Sequence, residues 1–197
     1  MRTRQAAQTR QAVLAAATRL FAARGWAGTT LAAVAAEAGT AVETVYAGFG
    51  SKSGLLTAAI DAAIAGDDEP VPLAERPRYA RMGTGSRRER LSAAANLIAP
   101  AHVRSVPLLR ALQEAAASDE AAAGRWARYE ADRRAEIVHG LGLILGHRPA
   151  DRLADSAWAI ASPEVFAKLV IDRGWPATRY ERWLADTVDV MLGTSEG

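Results

Sequence analysis

Residues 29–52 read TTLAAVAAEAGTAVETVYAGFGSK and hold two short helical patterns joined by a tight turn. Two threonines precede a helical pattern over 31–38, and a threonine hydroxyl placed there accepts a hydrogen bond from an unpaired backbone N–H. Gly39 is suited to end that helix. A second helix is predicted over 41–47, with its valines spaced to face inward and the Gly-Phe-Gly sequence at 48–50 breaking it.

The segments on either side continue the helical pattern. Residues 8–24 place their apolar side chains on one helical face, and Gly25 follows as a stop. Ser51 can cap a fourth helix, whose apolar stripe runs to Gly66. The N-terminal part of the chain therefore predicts three helices and a fourth that connects them to the rest.

Helical patterns also dominate the remainder of the chain. Residues 67–86 have the proline, glycine and charge content of an exposed loop. Nowhere do β-branched and aromatic residues alternate for long enough to indicate a strand, so we predict an all-α fold. Further helices, bounded partly by Pro100, Pro107 and Pro149, are predicted over 87–98, 106–117, 119–145, 149–161, 163–173 and 178–192.

The composition is that of a folded globular chain. Half of the 197 residues are hydrophobic and 23% are charged, a balance far from that of disordered chains. The absence of cysteine excludes disulfides, thiolate metal sites and a cysteine nucleophile. No apolar run is long enough to span a bilayer, and the N-terminus lacks a signal-peptide core. We therefore expect a cytoplasmic protein with no membrane partner.

Signatures of catalysis and metal binding are missing from the sequence. The histidines at 102, 139 and 147 have no ligand spacing with a carboxylate on one helix. There is no nucleophile elbow, no phosphate-cradling glycine loop and no dinucleotide fingerprint. We therefore predict no enzyme activity, no metal and no cofactor.

Charge is distributed unevenly along a chain whose net charge is only +2. Residues 1–52 contain six basic and two acidic side chains, so the remaining residues are slightly acidic as a group. A basic N-terminal segment on a nearly neutral body is typical of a domain that binds a polyanion, although chance in an arginine-rich sequence is the plainer explanation. A second basic cluster, over 76–90, is either a further DNA contact or a solvated flank of the loop.

Several N-terminal positions agree in register with one known pattern of small, apolar, aromatic and cationic residues. They are Thr29-Thr30-Leu31, Val34-Ala35, Ala38-Gly39, Thr44-Val45-Tyr46, Phe49, and Ser51-Lys52 with Leu55-Leu56. Through them the segment over about 8–64 resembles the helix-turn-helix domain of the TetR family of bacterial transcriptional regulators. The resemblance implies a DNA-binding head over 1–50, with homology to about 66, and a helical effector-binding and dimerisation domain over 51–197.

The chemistry of the head side chains agrees with this resemblance. The Thr44 hydroxyl suits a phosphate or a base edge, and the Tyr46 phenol suits the DNA backbone. The Glu43 carboxylate can accept from cytosine N4. Lys52 combines its ammonium with unpaired helix N–H groups that attract phosphate. The alternative for the Thr-X-Tyr pair at 44 and 46 is a solvated helix face. The full predicted contact set is Thr29, Thr30, Thr40, Ala41, Glu43, Thr44, Tyr46 and Lys52.

By the same resemblance, the C-terminal helices pair two chains and enclose an effector. The last two helices have apolar faces that suit a twofold dimer, namely Val165, Phe166, Leu169, Val170, Tyr180, Trp183, Leu184 and Val188. Candidate residues for a pocket that binds an unidentified small apolar molecule are Asn96, His102, Trp126, Tyr129 and Ile137. Core packing within one chain is the alternative for both sets.

The resemblance implies a ligand-responsive repressor that binds a palindromic double-stranded DNA operator as a homodimer and is released by a small apolar effector. Two alternatives come from other classes of protein. One is a helical small-molecule enzyme or carrier whose head is a structural relic, and the other is an interaction module whose head binds protein. DNA recognition predicts an affinity that falls steeply with ionic strength, and the alternatives do not.

Overall fold

The described parts of the chain fold into helices. The computed structural model describes residues 2–66 and 77–194, and within these ranges every regular element is helical, which confirms the all-α prediction. The helices are α1 (Arg2–Arg24), α2 (Leu31–Ala38), α3 (Val42–Phe49), α4 (Lys52–Ala65), α5 (Pro77–Ala80), α6 (Arg87–Ala116), α7 (Glu120–Leu145), α8 (Asp151–Ile160), α9 (Pro163–Phe166) and α10 (Ala177–Thr194), with a 3-10 turn (Arg81–Gly83) after α5 and a π-helical segment (Ala167–Asp172) after α9.

The described residues form two compact units. The N-terminal unit holds the described part of Met1–Glu69 together with Arg104–Arg128, and the C-terminal unit holds that of Pro70–Val103 and Tyr129–Gly197. Helices α6 and α7 therefore each contribute one part to each unit. The division of function at residue 50 stays a prediction.

Apolar side chains from α1 to α4 form the core of the N-terminal unit. Phe21, Val34 and Val45 are buried on α1, α2 and α3, and Leu55 and Ile60 are buried on α4. Each lies on an apolar stripe expected from the sequence, and burying one such side chain contributes about 1.5–3 kcal/mol before conformational entropy is counted. The unit also buries Leu108, Leu109 and Leu112 from the C-terminal half of α6.

The predicted helix caps are present at α2 and α4. The Thr30 hydroxyl accepts a hydrogen bond from the Ala33 N–H, and the Ser51 hydroxyl accepts one from the Gly54 N–H. Each hydroxyl satisfies a backbone donor that the first turn of a helix leaves unpaired. These two caps fix where the helices on either side of α3 begin.

Two helix ends differ from the prediction. Helix α1 begins at Arg2 rather than at residue 8, because the arginine, glutamine and alanine residues before residue 8 are strong helix formers with no breaker among them. Helix α3 continues through Gly48 and ends only at Gly50, whose φ of 74° leaves the helical region. A single glycine in a helix costs about 1 kcal/mol, which does not by itself stop the helix.

Residues 87–116 form one helix where the sequence predicted two. The prolines at 100 and 107 lack an N–H, so the carbonyl groups of Asn96 and Val103 lose their usual helical donor. Both of these residues are exposed, which lets water bond to their carbonyl oxygens. The predicted break between 98 and 106 was therefore wrong. The two prolines remove helical hydrogen bonds only at the solvent-facing side, so the helix continues through them.

The predicted loop over 67–86 is only partly a loop. Residues 67–76 lie outside the described residues, and the stretch over 77–83 is helical. Tyr79 anchors this stretch in the C-terminal unit, because it is buried and its hydroxyl donates to the Glu136 carboxylate at 2.8 Å. The prolines and charges that predicted a loop are thus compatible with a short helix held by one aromatic side chain.

The basic cluster over 76–90 supplies contacts inside the C-terminal unit. Arg87 pairs with Asp189 at 2.8 Å, and Arg90 donates to the Ile144 carbonyl at 3.0 Å. Arg76 lies outside the described residues. These contacts give two of the cluster's arginines structural roles, and a DNA contact by the cluster stays untested.

Candidate nucleic-acid interface

Helix α3 presents one face to the core and the opposite face to solvent. Val45 is completely buried, whereas Glu43 and Thr44 are exposed and the exposed fraction of Tyr46 is 55%. A carboxylate, a hydroxyl and a phenol can all hydrogen-bond base edges or phosphates, and a short helix fits the DNA major groove. The structure therefore exposes the side chains on which the DNA-binding hypothesis depends.

The turn between α2 and α3 is fixed by backbone hydrogen bonds. Gly39 has a φ of 66°, the left-handed conformation that favours glycine, and its N–H donates to the Ala36 carbonyl at 3.3 Å. The Thr40 N–H donates to the Ala35 carbonyl at 3.0 Å. These bonds hold the direction in which α3 leaves α2.

The other end of α3 is fixed against the first turn of α4. The Gly50 N–H donates to the Tyr46 carbonyl at 2.8 Å, and the Ser51 N–H donates to the Phe49 carbonyl at 2.8 Å. A Cβ atom at position 54 would collide with the same Phe49 carbonyl, so glycine is required there. Helix α3 is thus held at both ends while its outer face stays free.

Four other predicted DNA contacts lie at helix starts, and one of them needs correction. Thr30 and Ala41 are exposed at the N-cap positions of α2 and α3, and Thr40 is half-buried in the turn between them. Thr29 is completely buried, and its hydroxyl donates to the Gly25 carbonyl at 2.9 Å. Its side chain therefore holds the loop after α1 and cannot reach DNA.

Lys52 is held by the protein itself. Its Nζ donates to the Trp26 carbonyl at 2.5 Å and lies 4.1 Å from the centre of the indole ring. Burial lowers the pKa of Lys52, and the nearby Glu114 carboxylate offsets part of this effect. An ammonium group has three N–H donors, so the predicted phosphate contact would use those not given to Trp26. Nothing in the sequence pattern predicted this structural role.

An open groove of about 600 Å³ runs between the N-terminal half of α1 and helix α3. At one side of it the Arg10 guanidinium lies 4.7 Å from the centre of the Phe49 ring. Thr40 and Thr44, which were predicted DNA contacts, line this groove together with α1 side chains that were not predicted. The sequence signal for α1 was the absence of any acidic residue along its length. The groove is lined by Gln5, Ala6, Thr9, Arg10, Val13, Thr40, Thr44, Ala47, Gly48 and Phe49.

The predicted effector-pocket residues differ in burial and in the unit to which they belong. Asn96 is exposed and its amide donates to the Ser92 carbonyl of its own helix at 2.8 Å. Trp126 belongs to the N-terminal unit, whereas His102, Tyr129 and Ile137 belong to the C-terminal unit. Trp126 and Tyr129 lie three positions apart on the continuous helix α7, and a pocket shared by the predicted residues stays a prediction.

His102 lies in a buried aromatic cluster of the C-terminal unit. Its Nδ1 is 3.3 Å from the Tyr180 hydroxyl, within hydrogen-bond distance, and the Phe166 ring meets the imidazole edge-on at 5.4 Å. Burial, with a smaller contribution from the charge of Arg133, lowers the pKa of His102 to about 3. The imidazole is therefore neutral at pH 7.

Arg133 is a charged residue of this unit that no sequence motif predicted to be buried. Its side chain is mostly buried and pairs with Glu130 at 2.9 Å. It also donates to the Trp158 carbonyl at 2.7 Å and lies over the Trp158 ring at 4.7 Å. The guanidinium is thus neutralised and stacked inside the unit, which satisfies its charge without water.

Half of the predicted dimer residues are core residues. Phe166, Tyr180, Leu184 and Val188 are buried within one chain, so they cannot supply the surface of an interface. The other predicted residues, Val165, Leu169, Val170 and Trp183, are half-buried and remain candidates. An apolar stripe on a helix does not reveal which of its residues the chain itself covers. The exposed Ile171 and Val190 on the same segments were missed.

Neither a metal centre nor a membrane span is found in the part of the chain that the structure describes. No group of three or more histidine, aspartate or glutamate side chains could hold a metal ion there. No helix within residues 2–66 and 77–194 combines the length and the apolar character needed to cross a bilayer.

The N-terminal segment matches one protein family. Residues 13–59 match the model of bacterial regulatory proteins of the tetR family, a range that spans α2 and α3 with about half of α1 and of α4. No curated protein matches the chain.

Solved structures of similar fold cover nearly the whole chain. A candidate TetR-family transcriptional regulator from Rhodococcus sp. is 24% identical with a TM-score of 0.71, over 94% of this chain and 98% of that one. A TetR-family member from Streptomyces coelicolor A3 is 20% identical with a TM-score of 0.61, over 93% and 97%. The multidrug binding protein EbrR, complexed with imidazole, is 19% identical with a TM-score of 0.58, over 92% and 93%. Residues 13–59 thus match the N-terminal domain of the tetR family of bacterial regulatory proteins, and over nearly its whole length the chain has the fold of the TetR-family structures that it resembles.

Proposed function

We propose that this regulator is a repressor that recognises double-stranded DNA through α3. The observation that carries the proposal is the exposure of Glu43, Thr44 and Tyr46 on a helix whose Val45 is locked into the core. A helix held in this way can enter the major groove without losing its own packing. Occupying a promoter then excludes other proteins from the same DNA.

The proposed operator is a palindrome bound by a homodimer. Two copies of α3 related by a twofold axis contact half-sites about one DNA turn, ~34–36 Å, apart. The exposed Ile171 and Val190 support pairing, because they are large apolar side chains that a second chain would cover. Within each half-site, Glu43 favours a cytosine whose N4 amino group donates to the carboxylate.

The proposed signal for release is a small apolar molecule bound by the C-terminal unit. One protein of this fold is described as a multidrug binding protein. In the present chain, His102 and Tyr129 are buried polar groups among apolar side chains, a composition typical of small-molecule sites. A molecule that binds one dimer geometry more tightly shifts the population toward it, and DNA is released when that geometry has the wrong α3 spacing.

Selection of bound sequences from a random duplex pool tests the DNA proposal. The full chain should recover a palindrome with half-site centres about one turn apart. Thr44→Val removes a hydroxyl at nearly constant volume and should weaken binding to the recovered duplex about tenfold. Thr178→Val is the matched control, because Thr178 is exposed on α10, and it should bind like the wild type.

Two results would contradict these proposals. A pool without a shared sequence, or an affinity that does not change with ionic strength, would exclude operator recognition and favour the enzyme, carrier or protein-binding alternatives. A hydrophobic compound library in which nothing weakens binding to the recovered duplex would reject the effector proposal alone.

A further inference from the structure

The groove between α1 and α3 has the chemistry of a site for a polyanion. Its polar lining residues are Gln5, Thr9, Arg10, Thr40 and Thr44, and none of its lining side chains is acidic. The Thr9 hydroxyl donates to the Gln5 carbonyl at 3.0 Å, so the other polar side chains supply the donors. Hydrogen-bond donors with no carboxylate near them attract an anion, because no negative charge repels it. The groove also adjoins the exposed face of α3, because Thr44 belongs to both.

Arg10 is held in an orientation that leaves its hydrogen-bond donors available. The guanidinium stacks on the Phe49 ring at 4.7 Å, and the residue is exposed. Stacking uses the face of the guanidinium, while its N–H donors lie in the plane and match two phosphate oxygens. Within the described ranges no carboxylate pairs with Arg10. An arginine that is positioned by a ring and has no acidic partner is prepared for an external anion.

Gly48 provides the second, independent observation. It lies inside α3, where glycine costs about 1 kcal/mol relative to alanine, and it lines the groove. A Cβ atom added there would meet nothing within 4 Å, so packing inside the chain does not require a glycine at this position. Close approach of another backbone is a common reason for such a glycine.

We propose that the groove seats one segment of the DNA sugar-phosphate backbone, with Arg10 stacked on Phe49 as the phosphate-binding side chain and Gly48 as the point of closest approach. The inference rests on the proposed DNA-binding function and adds contacts from α1 to those of α3. The backbone that borders the major groove on one side of α3 then lies between the two helices.

Salt dependence of DNA binding tests the role of Arg10. With the duplex recovered by the wild-type chain, Arg10→Ala should lower the affinity about tenfold. It should also reduce the slope of log affinity against log salt by about 0.9 for each chain of the dimer. Arg10→Lys should keep the slope but lose several-fold in affinity, because lysine has no planar fork. Arg24→Ala removes the same charge from the exposed C-terminal end of α1 and should stay within twofold of the wild type.

Methylphosphonate substitution separates a phosphate contact from a base contact. Replacing one phosphate at a time by a neutral methylphosphonate should weaken wild-type binding at several positions. At one position in each half-site the loss should disappear in Arg10→Ala, because the interaction is already absent. A scan in which every position weakens Arg10→Ala as much as the wild type would overturn the assignment.

Substitution of Gly48 tests occupancy of the groove. Gly48→Ala should keep or raise the melting temperature, since alanine favours the helix. Gly48→Leu should fill the groove and weaken DNA binding more than tenfold while the helical circular dichroism is retained. Gly124→Leu is the matched control, because a Cβ at this exposed helical glycine of α7 also meets nothing within 4 Å, and it should bind like the wild type.

The two levels of proposal fail in different ways. A wild-type chain that selects no sequence and shows no salt dependence rejects the DNA-binding function itself. A wild-type chain that binds its duplex and is weakened by Thr44→Val, while the Arg10 and Gly48 variants match their controls, rejects only the groove.

Discussion

The ammonium group of Lys52 lies over the indole ring of Trp26, 4.1 Å from the ring centre, and donates to the carbonyl oxygen of the same residue at 2.5 Å. One cation therefore contacts both the ring and the backbone of Trp26. The indole in turn stacks on Phe21 at 6.2 Å. The first turn of α4 is thus fastened to the loop between α1 and α2.

Lys52 should accordingly contribute to stability as well as to DNA binding. Lys52→Met keeps the length of the stem but loses the hydrogen bond and the cation–π contact, so we expect the free energy of unfolding to fall by about 1–2 kcal/mol. Urea titration of the full chain measures this. Lys168→Met, at the exposed second lysine of the chain, should change it by less than about 0.5 kcal/mol. If Lys52→Met is as stable as the wild type, Lys52 has no role in stability and its predicted role is the DNA contact alone.

Glu114 holds the same loop from α6. Its carboxylate accepts from the Trp26 N–H at 2.8 Å and from the Ala27 N–H at 3.1 Å. Glu114→Gln replaces one acceptor oxygen by an amide donor that faces a backbone N–H, so we expect a loss of about 1 kcal/mol at this exposed site. In differential scanning calorimetry, Glu114→Gln should melt at a lower temperature than the control Glu120→Gln. Glu120 is exposed at the start of α7, so its substitution removes only a weak interaction with the helix dipole. Equal melting temperatures would show that water replaces the carboxylate.

The sequence predicted the parts of the head that depend on local patterns. The Thr30 and Ser51 caps, the Gly39 turn and the burial of Val45 follow from residue type and helical spacing. Contacts between residues far apart in the chain were not predictable in this way. Trp26 lies in the loop after α1 and Glu114 lies on α6, so no local periodicity relates these two residues.

The long helices α6 and α10 show the same limit. The prolines at 100 and 107 suggested helix ends, but a long helix can carry prolines where the carbonyls they leave unpaired face water. The apolar stripe of α10 was correctly placed, yet the sequence could not show that Tyr180 and Leu184 are covered by their own chain. Spacing identifies a face, and only packing identifies what covers it.

Burial of His102 should make stability depend on pH. Its folded pKa is lowered to about 3, below the ordinary value of 6.5, so the unfolded chain binds a proton at a higher pH than the folded chain. Stability is therefore unaffected by this group above pH 6.5 and falls as the pH is lowered toward 3, by up to about 1.4 kcal/mol per pH unit. Urea titrations between pH 7.5 and 4.5 should show this decline.

Two variants assign the decline to His102. His102→Leu should flatten the curve between pH 6.5 and 5, whatever its effect on absolute stability, because leucine has no proton to gain. His147→Leu, at an exposed histidine, should keep the wild-type curve. A curve that is unchanged in His102→Leu would mean that the imidazole opens to water before the chain unfolds.

Pairing of two chains should depend on the exposed apolar side chains of the C-terminal unit. Val190 on α10 has an exposed fraction of 68%, and a carboxylate placed in an interface there would be buried without a partner. In sedimentation equilibrium at micromolar concentration, we expect the wild type to have the mass of two chains and Val190→Asp to shift toward one. Val103→Asp is the matched control, because Val103 on α6 has a similar exposed fraction of 49% and lies outside the predicted interface. A wild-type mass of one chain, or equal dissociation of both variants, would contradict an interface on α10.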